Sequence, residues 1–151
     1  GKLHAWVLGD GPQRYQLESQ TAAFPHPSPV RFYGQRDDVE DFLAGADVFV
    51  LPSTREGFSN ALVEAMAAGL ACVATDVGGN AEAIRDGQDG LIVPPLNADH
   101  LIHAMETLWR DEEKRRTLSF SAAHRAEWFS LENMIAEVER LYRESVESRN
   151  F

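Results

Sequence analysis

Short apolar runs alternate with helical patterns over the first 94 residues of the chain. The runs are continuous and rich in Val, Phe, Ile and Leu, which is typical of strands buried on both faces of a parallel sheet. They predict strands over residues 3–8, 30–33, 47–51, 71–75 and 90–93. Helical patterns over residues 12–23, 39–46 and 80–86 lie between them. This alternation predicts an α/β fold in which helices flank a parallel sheet.

Beyond residue 94 the pattern is helical only. Apolar side chains recur at helical spacing in two stripes. The first stripe contains Leu101, Ile102, Met105, Leu108 and Trp109, and the second contains Met134, Ile135, Val138, Leu141 and Tyr142. We interpret both stripes as core-facing. The last helix, about 131–147, is expected either to pack on this domain or to reach across to another one.

The composition favours one soluble domain over residues 1–151. With 44% hydrophobic residues the chain can build a packed core. Its formal net charge of −10 argues against nucleic acid as a partner, because no basic stripe is available to neutralise a phosphate backbone. No apolar run approaches the ~20 residues of a membrane span, and the N-terminus lacks a signal-peptide pattern. A cytoplasmic protein is therefore expected.

Three features are better explained by structure than by chemistry. The basic residues 114–116 directly follow the acidic residues 111–113, which is typical of a solvated helix face and only weakly suggests a membrane-facing patch. Cys72 lies in an apolar run, where a small buried side chain is a better interpretation than a nucleophile. His100 and His103 are three residues apart on a predicted helix but lack a third ligand, so we predict no metal site.

Each predicted strand runs into glycine, proline or small polar residues at its carboxyl end. Ligands of a parallel sheet bind at these carboxyl ends. Such loops let a ligand approach the backbone closely, although many serve only as turns. The first of them, residues 9–12, has the sequence Gly-Asp-Gly-Pro. It lacks the third glycine and the downstream acid of a dinucleotide fingerprint, so an NAD site is not favoured.

The most informative segment begins at Glu56 and reaches Glu64, between a predicted strand and a predicted short helix. Ser59 or Asn60 can cap that helix, and Gly69 can end it. A helix N-terminus offers free backbone amides and the positive end of a dipole, so a diphosphate can sit there. The two carboxylates then flank the anion. One can accept hydrogen bonds from hydroxyls of a sugar, and the other from hydroxyls of a ribose.

These motifs together resemble the C-terminal, donor-binding half of GT-B glycosyltransferases, and most closely the retaining family 4. The resemblance covers residues 3–142. It is carried by Gly-Asp-Gly-Pro at 9–12, Val-Arg-Phe-Tyr-Gly at 30–34, the strand and loop at 46–53, the glutamate pair, the segment 74–79 with Glu82, and residues 87–94. It implies a Rossmann-like sheet and an enzyme that takes its sugar from a nucleotide-diphosphate sugar, most often UDP or GDP.

The resemblance also implies roles for individual residues. Glu56 contacts hydroxyls of the donor sugar and is the candidate catalytic residue, whereas Glu64 binds the ribose. The loop Gly34-Gln35-Arg36 lies near the base. Backbone amides hold the sugar and the phosphates, at Gly57, Phe58, Ser59, Asn60, Ala61 and Leu62. Transfer with retention of configuration is implied, with no cofactor and no essential metal, because amides and basic side chains stabilise the leaving diphosphate.

The chain also departs from the pattern of this family. The family's first strand in this half, with its Arg and Lys, is absent, and so is the N-terminal acceptor-binding half. Arg36, Arg55 or Arg85 could supply the missing positive charge. Since the first strand lies centrally in such a sheet, its loss would leave two inner edges unpaired. We hypothesise an excised fragment whose gap is closed by rearrangement or by self-association.

The expected function is therefore the donor-binding half of a retaining glycosyltransferase that modifies a saccharide or a lipid acceptor. The fragment alone is expected to be inactive, and the complete enzyme to be cytoplasmic or peripheral to the membrane. Two alternatives stay open. One is a non-catalytic module that binds a nucleotide-sugar, and the other is half of a sugar-nucleotide epimerase. A glycosidase pair is not favoured, because these acids flank a helix start suited to phosphate rather than a sugar cleft.

Overall fold

The computed structural model describes residues 3–24 and 27–147. The strands are β1 Ala5–Leu8, β2 Val30–Gly34, β3 Val48–Leu51, β4 Ala71–Thr75 and β5 Leu91–Val93. The α-helices are α1 Arg14–Thr21, α2 Val39–Ala44, α3 Asn60–Ala67, α4 Asn80–Ala83, α5 Ala98–Arg110, α6 Glu112–Ala126 and α7 Leu131–Glu147. A 3-10 turn, Glu127–Phe129, follows α6 directly. Each predicted strand is present, most of them shortened by one or two residues.

The strands form two parallel sheets, and each sheet belongs to a separate compact unit of the chain. In the unit that ends at Asp41, β1 pairs with β2 in parallel register, with Ala5 opposite Val30. In the unit that starts at Phe42 the strand order is β3-β4-β5, and all pairs are again parallel. The predicted α/β fold with parallel strands and flanking helices is confirmed. The single domain and the absent first strand stay predictions.

Strand β4 forms the centre of the second unit, because every one of its residues is buried. Successive side chains of a strand point to opposite faces of the sheet. Accordingly Cys72 and Ala74 pack in one cluster with residues of α3 and α6, whereas Ala71 and Val73 pack in another with Leu108 of α5. The prediction of strands buried on both faces is thus confirmed for β4, while β3 is only partly buried along its length.

Helix α6 contributes buried residues to both core clusters, and one of its side chains binds a carbonyl near the end of α5. Its buried residues Leu118, Ala122 and Ala126 recur every four positions, a stripe of mostly small residues that the sequence interpretation missed. Arg115 donates from Nη1 to the carbonyl of Leu108 at 2.7 Å, near the end of α5. Such bonds satisfy carbonyls that a helix end leaves without partners. The predicted solvated face is confirmed for Lys114 and Arg116, whereas Arg115 is partly buried.

The two apolar stripes behave differently. In α5, Leu108 is fully buried, although Ile102 and Trp109 are 54% and 46% exposed. In α7 the whole stripe is exposed, with every apolar side chain at least 46% accessible. Packing of the α7 stripe in the core of this domain is therefore not found among the described residues, and the alternative, that this helix reaches across to another domain, stays a prediction. A helical stripe identifies an apolar face, but it does not identify the surface that covers that face.

Candidate functional site

The loop of residues 52–59 between β3 and α3, here called the site loop, carries Glu56 and leads into the helix start. Ser59 is the N-cap of α3, since its backbone is extended and its hydroxyl accepts a hydrogen bond from the amide of Leu62 at 3.3 Å. Gly69 follows the helix with a left-handed φ of 76°. Both predicted boundaries are confirmed, because a polar cap and a glycine stop act through local geometry.

Five consecutive amides at this helix start, those of residues 57–61, donate no hydrogen bond to any residue that the structure describes. Residues 57, 58, 60 and 61 are exposed, whereas Ser59 is buried. The sixth predicted amide, that of Leu62, is already used by the Ser59 hydroxyl, and the Leu62 side chain is fully buried in the core. The open amides form a concentration of donors suited to an anion or to sugar oxygens.

Two carboxylates accompany these amides. Glu56 lies partly buried in the site loop, and Glu64 is exposed on α3. Within residues 3–24 and 27–147, neither side chain forms an ion pair or a hydrogen bond. A carboxylate without a protein partner keeps its full capacity to accept hydrogen bonds from hydroxyl groups. Glu64 also lines an open groove of about 480 Å³ between α3 and the end of α6.

The loop after β4, residues 76–79 and here called the β4 loop, lies directly against the site loop. The amide of Gly79 donates to the carbonyl of Gly57 at 2.6 Å. The Thr75 hydroxyl, at the end of β4, donates to the carbonyl of Ser53 at 2.6 Å. These contacts satisfy two carbonyls of the site loop. The sequence interpretation placed both loops at strand ends but did not predict that they touch.

Aromatic side chains support the other side of the site loop. The ring of Phe58 is 44% exposed, and its centroid lies 5.4 Å from that of Phe129 in the 3-10 turn. The guanidinium of Arg125 lies 5.3 Å from the centroid of Phe129. Arg125 also donates from Nη2 to the carbonyl of Glu82 at 2.9 Å. Phe129 and Arg125 were missed because about 70 residues separate them from Phe58 in the sequence.

The three arginines that could supply positive charge differ in whether an acidic side chain already pairs with them. Arg36 is held by Asp38, with Nη2 to Oδ2 at 2.6 Å, and this contact raises the pKa of Arg36 and lowers that of Asp38. Arg85 pairs through Nε with the fully buried carboxylate of Asp89 at 2.6 Å. Arg55, adjacent to Glu56, has no ion pair among the residues that the structure describes. Arg55 is thus the candidate whose charge is least neutralised within the chain.

The loop predicted to lie near a base, Gly34-Gln35-Arg36, belongs to the first unit and is described by itself. Gly34 ends β2 with a left-handed φ of 69°, and its carbonyl accepts a hydrogen bond from the amide of Gly9 at 2.7 Å. A Cβ atom at Gly34 would lie 2.7 Å from Nη1 of Arg14. Glycine is favoured here by the backbone angle, whereas the Arg14 guanidinium, at the end of a flexible side chain, can move aside. The role of this loop in base binding stays a prediction.

The other candidate chemistry is structural. Cys72 is fully buried, and burial raises the pKa of its thiol to about 12, so the thiol is not ionised at neutral pH. His100 and His103 are exposed on α5. Within residues 3–24 and 27–147 no group of three or more His, Cys, Asp or Glu side chains can hold a metal ion. The helices of the same residues include none with the length and apolarity needed to cross a membrane.

Comparison with known proteins identifies the family of this chain. The profile of the family described as Glycosyl transferases group 1 matches residues 2–111, which include the site loop, the β4 loop and α3. A match over that share of the chain defines the class of protein: the chain belongs to the group 1 glycosyl transferase family.

Individual relatives extend the similarity. The chain is 35% identical over 117 residues to the lipopolysaccharide core biosynthesis glycosyltransferase LpsE of Rhizobium meliloti, covering 78% of this chain and 34% of that protein. It is 39% identical over 114 residues to a diphospho-undecaprenol alpha-1,3-N-acetylgalactosaminyltransferase of Campylobacter jejuni, covering 76% of this chain and 30% of that protein. The chain thus spans about a third of the length of these two relatives.

A solved structure shows the same fold with a ligand. The structure of HepE from Anabaena in complex with UDP-glucose matches 96% of this chain and 41% of the HepE chain, with 27% identity and a TM-score of 0.79.

Proposed function

We propose that this chain forms the donor-binding part of a glycosyltransferase that moves a sugar from a nucleotide-diphosphate sugar to a saccharide or lipid acceptor, with retention of configuration. The observation that carries the proposal is the row of five open amides between two unpaired carboxylates. Family membership and the UDP-glucose complex of HepE support the same ligand class.

In this arrangement each group has one task. The amides of residues 57–61 and the positive end of the α3 dipole stabilise the diphosphate as it leaves with the nucleotide. Glu56 accepts hydrogen bonds from hydroxyls of the transferred sugar, and Glu64 accepts them from the ribose. Arg55 adds positive charge next to the leaving group. No metal or cofactor is part of the proposed reaction, and UDP or GDP is the proposed nucleotide.

The first test is turnover by the complete protein that carries this chain. The assay measures the nucleoside diphosphate that hydrolysis or transfer releases from each of a panel of UDP-, GDP- and ADP-sugars. Proton couplings at the anomeric carbon of the product then show whether configuration is retained. Donor binding without release would favour the non-catalytic module. An epimerised nucleotide-sugar formed without an acceptor would favour the epimerase instead.

Glu56→Ala tests the role of the first carboxylate. Because Glu56 contacts the reacting sugar in this proposal, the variant is expected to lose about 100-fold in kcat while KM changes less than about threefold. Glu113→Ala is the matched control, since Glu113 is an exposed acid at the start of α6. A Glu56→Ala enzyme with the kcat of the control would show that the carboxylate does not act in turnover.

A further inference from the structure

We propose that Gly78 and Gly79 are positioning residues for the donor site, because they set the direction in which the site loop presents its amides. Neither glycine need touch the ligand. The inference rests on the proposed function, since the amides in question are those assigned to the sugar and the diphosphate. It adds a second loop, from a different strand end, to the machinery that orients the donor.

The contact between the two loops leaves no room for a side chain at Gly78. Its φ is +53°, and a Cβ atom would lie 1.9 Å from the carbonyl oxygen of Glu56 and 2.6 Å from that of Gly57. The carbonyl carbon of Glu56 would be farther away, at 2.7 Å. The Glu56 oxygen therefore points at Gly78, and both neighbours are backbone atoms that cannot rotate aside as a side chain does.

Gly79 holds the next carbonyl of the site loop. Its amide donates to the Gly57 oxygen at 2.6 Å, and Gly79 itself is buried. The two successive carbonyls of Glu56 and Gly57 are therefore both turned towards the β4 loop. One is in van der Waals contact with Gly78, and the other is hydrogen-bonded to Gly79.

The planarity of the peptide bond converts this arrangement into a direction for the amides. In a trans peptide the C=O of one residue and the N–H of the next point to opposite sides. With the Glu56 carbonyl facing Gly78, the N–H of Gly57 faces away from the β4 loop. With the Gly57 carbonyl facing Gly79, the N–H of Phe58 faces away as well. These are two of the five amides without a partner among the described residues.

The β4 loop is itself held in place by hydrogen bonds, so it can position the site loop that packs against it. Asn80 is fully buried, and its Nδ2 donates to the carbonyl of Thr75 at 3.0 Å, which ties together the two ends of the loop. The Thr75 hydroxyl binds the Ser53 carbonyl at 2.6 Å, near the start of the site loop. The segment 75–80 thus holds the site loop near its start through the Thr75 hydroxyl and in the middle through the Gly79 amide.

The chain offers a graded set of variants. In Gly78→Ala the Glu56 carbonyl oxygen must retreat by about 1.5 Å to reach an ordinary contact, and a displacement of even ~1 Å can cost about 100-fold in rate. In Gly79→Ala the backbone is unstrained at φ −82°, and the Cβ atom meets the Phe58 ring at 2.8 Å and the Gly57 oxygen at 3.1 Å. The displacement is smaller there, so the loss is expected to be roughly tenfold.

Gly87→Ala is the matched control for backbone strain. Gly87 has a left-handed φ of +71°, as Gly78 does, but nothing lies within 4 Å of the position of its Cβ atom. Both variants therefore carry the strain of a side chain at positive φ. Only Gly78→Ala also pushes on the site loop, so the difference between the two isolates the effect of that contact.

The experiment measures kcat, KM and UDP or GDP affinity of the complete protein, at a temperature where circular dichroism shows each variant folded. We expect kcat/KM to fall about 100-fold in Gly78→Ala and roughly tenfold in Gly79→Ala, with Gly87→Ala within threefold of wild type. If Gly78→Ala does not fold, Gly79→Ala alone decides. If the wild-type protein turns over and the Gly78→Ala and Gly79→Ala variants have the same kcat/KM as Gly87→Ala, this inference alone is overturned. If the wild-type protein turns over no donor, the proposed function is overturned.

Discussion

Removal of the Glu64 carboxylate is a clean perturbation of the candidate site. The side chain is exposed on α3, and its loss breaks no hydrogen bond or ion pair among the residues that the structure describes. Alanine is also a good helix former. Glu64→Ala is therefore expected to change the free energy of unfolding by no more than about 0.5 kcal/mol. The corresponding shift in Tm is at most about 2 °C.

The expected effect on nucleotide binding is much larger. A carboxylate that bridges two ribose hydroxyls accepts two hydrogen bonds. A hydrogen bond to such a charged group is worth about 1.5–3 kcal/mol when it is sheltered from water. Because Glu64 is exposed and screened by solvent, each bond should contribute less than that, about 1–1.5 kcal/mol, and the pair together about 2–3 kcal/mol. At 1.4 kcal/mol for each factor of ten, the Kd for UDP or GDP should rise about 30- to 150-fold.

Calorimetry with matched ligands can separate a ribose contact from a general loss of binding. UDP and 2′-deoxy-UDP are titrated into the wild-type complete protein, Glu64→Ala and the control Glu113→Ala, and GDP with its 2′-deoxy form replaces them if wild type prefers guanine. Wild type and the control should bind the deoxynucleotide at least tenfold more weakly than the parent nucleotide. Glu64→Ala should bind both alike, because the acceptor for the missing hydroxyl is already gone.

The ribose assignment is refuted by either of two results. The first is a Glu64→Ala protein that binds UDP and GDP within threefold of wild type. The second is a variant that binds weakly but still prefers the parent nucleotide as strongly as wild type does. In that case the carboxylate would act on another part of the donor.

Two further predictions concern stability. Because burial raises the pKa of Cys72 to about 12 while an unfolded thiol titrates near 8.5, stability from this group is complete below about pH 8.5 and is lost as pH rises towards 12. Urea titrations between pH 8 and 11 should show a decline that Cys72→Ala reduces, and an equal decline in both proteins would contradict this. Asp89→Asn should lower the free energy of unfolding by about 2 kcal/mol, because the buried carboxylate accepts from the Arg85 amide at 2.5 Å and from its Nε at 2.6 Å. Urea unfolding tests it, and a variant within 0.5 kcal/mol of wild type would be inconsistent with the expected loss.

Local features of the fold were predictable from the sequence. Strand β4 has the predicted bounds, because a run of five small and β-branched residues between a glycine turn and a polar loop has few other solutions. The boundaries of α3 at Ser59 and Gly69 were predictable for the same reason, since capping depends on residues within one turn of the helix end. The two carboxylates around that helix start follow from their spacing alone.

Contacts between distant segments were not predictable in this way. The aromatic support of Phe58 by Phe129 depends on how α6 and its 3-10 turn pack against α3. Which of the two expected surfaces covers the α7 stripe was not predictable either, because an amphipathic pattern is the same whether its partner lies in the described residues or elsewhere. The sequence also left open which arginine keeps its charge available, a question that depends on neighbours such as Asp38 and Asp89.

The sequence by itself determined the order of strands and helices, the capped helix start and the presence of Glu56 and Glu64 around it. These depend on side-chain periodicity and on bonds between residues a few positions apart. Only the tertiary structure decided that Gly78 and Gly79 touch the carbonyls of Glu56 and Gly57, which turns the amides of residues 57 and 58 away from the β4 loop. The reason is physical: the direction of a peptide group depends on what its carbonyl meets, and here that neighbour comes from a different strand end about 20 residues away.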